Sequence, residues 1–98
     1  MKVTERLAAL SAEIAEEQMQ LRILEEQLTF QAEVADDARI RALVSETPLA
    51  DRESHIALDD LRRLERSRDD ARRRLEELRA EQDELLERMF EDSTERGA

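Results

Sequence analysis

The sequence predicts an all-α fold in which two long helices form an antiparallel coiled-coil hairpin. Three observations carry that prediction: an apolar repeat spaced alternately by four and three along both halves, one Thr-Pro break between them, and a near absence of sheet-forming residues. Of 98 residues, 2% are aromatic, one is glycine and one is proline, whereas strands draw on aromatic and β-branched side chains and their turns on glycine. A charged content of 43% with so few aromatics is also the signature of a chain that cannot bury a core, and the repeat decides between the two.

The first helix is expected from about 4 to 46. Its repeat passes through Val3, Leu7, Leu10, Ile14, Glu17, Leu21, Leu24, Leu28, Gln31, Ala35, Ala38 and Ala42. The turn falls at about 46–48. Thr47 is placed to cap the next helix through its hydroxyl, and Pro48 suits the first helical position, where its missing amide costs nothing. Because the residue before a proline resists the α conformation, the first helix should stop near Glu46. The second helix is expected from about 48 to 92, with residues 93–98 as a frayed acidic tail. Its repeat passes through Ala50, Ser54, Ala57, Leu61, Leu64, Arg68, Ala71, Leu75, Leu78, Gln82, Leu85 and Met89. Both repeats extend well past the three or four heptads that argue for a coiled coil, and so short a link implies antiparallel neighbours within a single domain, 1–98.

Folding the halves together about residue 46 sets every seam residue against another. Ala42 faces Ala50 and Ala38 faces Ser54 near the turn, whereas Ile14 faces Leu78 and Leu7 faces Leu85 further out. No layer opposes two polar side chains, and the layers nearest the turn hold only alanine and serine, so the helices should approach closely there. The polar seam residues Glu17, Gln31, Arg68 and Gln82 each face an apolar partner. They can penalise slipped pairings, or lay their stems on the seam with their heads in water.

Large apolar residues also lie off the seam. Met19, Ile23, Phe30, Val34, Ile40, Leu43, Val44, Leu49 and Ile56 form the expected protein-binding surface, with Leu58 close by. One buried stripe per helix leaves an isolated hairpin marginal against the entropy of ordering it. The expectation is therefore a homodimer, a four-helix bundle closed around the turn-proximal half, serving as a non-enzymatic adaptor or regulator that binds protein.

The remaining chemistry is sparse. A formal charge of -10 opposes general binding to nucleic acid or anionic membranes, and no apolar run is long enough for a leader or a membrane span. The absence of cysteine fits a reducing compartment, and a cytoplasmic location is expected. His55 is the sole histidine and lacks companion ligands, and no serine has a histidine at helical spacing except its neighbour Ser54, whose side chain diverges from it. No catalysis, metal or cofactor is expected. Arg62, Arg66 and Arg73 are the candidate phosphate-binding residues within an arginine-rich stretch, Arg62 to Arg79. The acids interleaved among them favour a salt-bridged face instead. Glu46, Asp51 and Glu53, with Asp36 and Asp37 below them, make the turn acidic. In architecture such a tip resembles the finger-like hairpins that transcript-cleavage factors insert into RNA polymerase, although no motif of that family maps onto this chain. The alternative function is therefore regulation of the transcription machinery, RNA polymerase or a sigma factor, through the acidic tip or the arginine stretch.

Overall fold

The computed structural model describes residues 2–97, with side-chain surroundings for residues 2–94. Helix α1 spans Val3–Ser45 and helix α2 spans Pro48–Gly97, packed as an antiparallel hairpin with no strand among the described residues. The seam supplies the reason. Every seam position named above is buried or half-buried except Met89, which is 38% exposed. Off the seam, only Arg6, Ala9, Val34, Glu65 and Glu81 escape full exposure among the described residues.

The chain reverses at Glu46 and Thr47, the only interruption between the helices. Glu46 adopts a left-handed conformation, φ 50°, and its amide donates to the Ala42 carbonyl at 3.1 Å, the single bond of an αL helix end. Glycine usually fills that position, because a Cβ there crowds the following carbonyl. Thr47 caps α2 as expected: the Ala50 amide donates to its hydroxyl at 3.2 Å, and the Asp51 amide donates to its carbonyl at 3.1 Å. At the other end, α2 runs to Gly97, beyond the expected end near Asp92. Nothing from Ser93 to Arg96 breaks a helix, and the Thr94 hydroxyl donates back to the Phe90 carbonyl at 2.9 Å. The expected frayed tail is thus helical through residue 97, and Ala98 lies outside the described residues.

The hairpin divides into two compact units, a terminal unit of Met1–Gln20 with Ala71–Ala98 and a turn unit of Leu21–Asp70. In the terminal unit the core is Leu10, Ile14, Ala71 and Leu75, with Leu10 fully buried. Arg6 clamps this core from the side. Its guanidinium donates two bonds to the Glu81 carboxylate, at 2.6 and 2.8 Å, and a third to Glu13 at 3.3 Å. In the turn unit the buried residues are Ala38, Ala50 and Ala57. A methyl group reaches that burial only where the facing backbone comes close, as the alanine layers led one to expect.

The polar seam residues resolve differently. Gln31 donates its amide to the Ala57 carbonyl across the turn unit at 3.0 Å, a directional tie between the helices. Glu17 accepts from Arg74 at 3.4 Å in the terminal unit. Arg68 lays its stem on the seam and pairs with its neighbour Asp69 at 3.0 Å, so its charge leaves the interface. No buried side-chain nitrogen or oxygen among the described residues lacks a partner.

The two halves of the turn respond oppositely to substitution. Thr47→Ala should lower unfolding free energy by about 1 kcal/mol, whereas Glu46→Gly should raise it by about 0.5–1 kcal/mol by relieving the left-handed strain. Urea titration of each variant at one fixed protein concentration measures both signs.

Candidate functional site

With the seam residues taken as heptad positions a and d, the flanks of each helix pair follow from antiparallel geometry, g beside g and e beside e. The Arg6–Glu81 bond joins two g positions, as that geometry requires. In the turn unit, Ile23, Phe30 and Val44 of α1 and Leu49 and Ile56 of α2 all occupy c positions, and Val34 occupies g. They therefore share the flank outside the g residues of both helices. Phe30 is 68% exposed and Val44 79%, Val34 is half-buried, and Ile23, Leu49 and Ile56 are exposed. Phe30 borders an open hollow with Glu26, Gln27, Gln31 and Leu64. Ile40 stands exposed at the adjoining f position.

The expected surface is not a single face. Leu43 and Leu58 fall on the e and b flank of the turn unit, where Leu58 lines a hollow with Ala32, Ala35, Arg39, Ser54 and Leu61. Met19 belongs to the terminal unit and is exposed there. Sequence reasoning also passed over Leu86 and Phe90, exposed together with Met89 near the end of α2. Their spacing by three and four is the signal that marks them, although Met89 itself belongs to the seam repeat.

Arg62 and Arg66 are exposed one turn apart on the turn unit, while Arg73 belongs to the terminal unit and is engaged in an interaction of its own. Their neighbours turn toward acids, Arg63 to Asp60 at 3.6 Å and Arg74 to Glu17 at 3.4 Å, the pattern of a salt-bridged face. At the turn, Asp36, Asp37, Glu46, Asp51 and Glu53 are all exposed. Asp51 sits in the first turn of α2, where the helix dipole favours a carboxylate. His55 is exposed, and no cluster of metal-ligating side chains occurs among the described residues. Among those residues no helix is long and apolar enough to cross a membrane.

The terminal unit also carries an open groove of about 420 Å³ lined by Glu13, Glu16, Glu17, Glu77 and Glu81, with Arg74 and Leu78. Arg6 governs the electrostatics at its edge. Its hydrogen bonds to the Glu81 carboxylate, reinforced by its charge, hold that carboxyl below the usual carboxylate range despite some desolvation. In return Glu81, with help from Glu13, holds the guanidinium protonated still more firmly than usual. No family model, curated protein or solved structure matches the chain.

The lowered Glu81 pKa fixes a sign. A carboxyl that ionises more readily in the folded state adds stability above its ordinary range, and that stability is lost as pH falls through the folded value. Glu81→Gln should therefore lower the melting temperature at neutral pH, and the gap from the unaltered chain should close on acidification below the ordinary carboxylate range. Thermal unfolding followed by circular dichroism across that range measures the gap.

Proposed function

We propose that the hairpin is a non-enzymatic protein-interaction module, a dimeric adaptor or regulator assembled through the turn-unit face built on Phe30. One observation carries the reading: large apolar side chains from both helices stand exposed on one flank of a unit whose own core is mostly alanine. Contiguous exposed apolar surface of this kind marks an interaction site, while single exposed leucines do not.

Self-association satisfies this surface economically. A two-fold axis normal to the flank brings Ile23, Phe30 and Val34 of one copy against the same face of the other, giving four helices around a new core. The charges on the flank favour a second copy too. Arg41 and Arg63 lie among Asp37, Glu53 and Asp60, so the two signs alternate and a two-fold pairing can match them. Large side chains then cover the weakly apolar alanine layers from outside.

Light scattering at micromolar concentration should give twice the chain mass for the unaltered protein and one chain mass for Phe30→Glu with Val34→Glu. Since Val34 is half-buried, Phe30→Glu alone serves as the milder variant, and circular dichroism should show its helix content retained. Glu46→Ala with Asp51→Ala should leave the mass unchanged. A folded, monomeric unaltered chain would falsify the dimeric reading.

A further inference from the structure

We infer that the Leu86–Met89–Phe90 face of α2 is a separate docking surface for a basic amphipathic helix of another protein. These residues recur at three and four, so they project from one side of the helix over a single turn. Phe90 is 72% exposed, and the three, with Ser93, line an open hollow of about 210 Å³. Met89 also borders a second hollow with Lys2, Val3, Thr4, Asp92 and Ser93, so the apolar floor continues toward α1. Opposite Leu86 on the matching e and b flank of α1 stand Thr4, Ala8, Ser11 and Ala15, all small and exposed. A large aromatic beside a strip of small residues gives an incoming helix a pocket wall and room to lie close.

Charge selects the occupant. Asp83, Glu87 and Asp92 border the patch on α2, while Glu84 and Glu91 lie across the helix on the c flank, where Arg88 is bonded to Glu84 at 2.9 Å. Among the described residues lining the second hollow, Lys2 is the one base. A second copy would bring the same acids against these and be repelled, in contrast to the mixed charges around Phe30. A helix carrying leucines on one face and lysines on the other meets both the apolar floor and the acidic rim, and the chain's net charge of -10 steers it in. This surface is separate from the Phe30 face and independent of how that face is used.

The test titrates the full chain into a fluorescently labelled Leu/Lys amphipathic peptide of about 18 residues, five helical turns, and follows anisotropy. A scrambled peptide of the same composition and a Leu/Glu amphipathic peptide serve as controls. The Leu/Lys peptide should bind far better than either. Phe90→Ala should weaken it about tenfold, as loss of an aromatic anchor does, and Leu86→Ala should weaken it by less. Both residues are exposed, so the variants should retain their helix content by circular dichroism. Phe30→Glu should leave the affinity unchanged, which separates this surface from the dimer face. Equal binding of the scrambled peptide would reduce the effect to bulk charge and overturn the proposal. So would an affinity indifferent to Phe90→Ala, or a drop in solution mass for Phe90→Glu, which would make the patch a self-association surface.

Discussion

Glu46 and Thr47 must reverse the chain within two residues, and the position of that reversal decides which side chains can meet. Each helix carries its seam spacing of four and three without a skip, so displacing the turn by one residue would carry every seam side chain off its partner. The left-handed Glu46 ends α1 with one amide bond, and the Thr47 hydroxyl opens α2 with another. Between them they satisfy backbone groups that two abutting helix ends would otherwise leave without partners. The alanine layers next to the turn then have little apolar surface with which to correct an error, so local backbone chemistry sets the phase there.

Polar groups refine that phase. Gln31 reaches a backbone carbonyl of the facing helix, a bond with only one satisfactory geometry, so a slipped register would lose it. Glu17 occupies the same d place in the repeat as Gln31, and Arg68 an a place, both without that constraint, one reaching a flanking arginine and the other leaving the interface. Equal positions in a heptad therefore do unequal things. Side-chain length and the nearest partner decide which.

The seam was legible because a period of four and three has one physical interpretation over such a length, and the cap was legible because Thr-Pro has few other uses at a helix start. Two features were not. Glu46 carries no mark of a left-handed residue, since glycine or asparagine would have announced it and glutamate does not. Arg6 and Glu81 lie far apart in sequence and look like ordinary surface charges until the register brings their g positions together. The run of α2 past the expected end near Asp92 has a related reason: polar composition suggests a tail, but polarity alone does not stop a helix that lacks a breaker. For the exposed apolar faces, composition reveals a surplus of apolar residues, and only the sorting by flank shows that it falls on more than one surface.

The unequal size of the seam residues has a further consequence for motion. Leu10, Ile14 and Leu75 bury whole aliphatic side chains in the terminal unit, whereas Ala38, Ala50 and Ala57 bury single methyl groups in the turn unit. Local opening requires less free energy where less apolar surface is sealed. Backbone amides flanking the alanine layers therefore exchange with solvent through smaller excursions than those beside Leu10, and a protein seated on the turn unit would slow that exchange most of all.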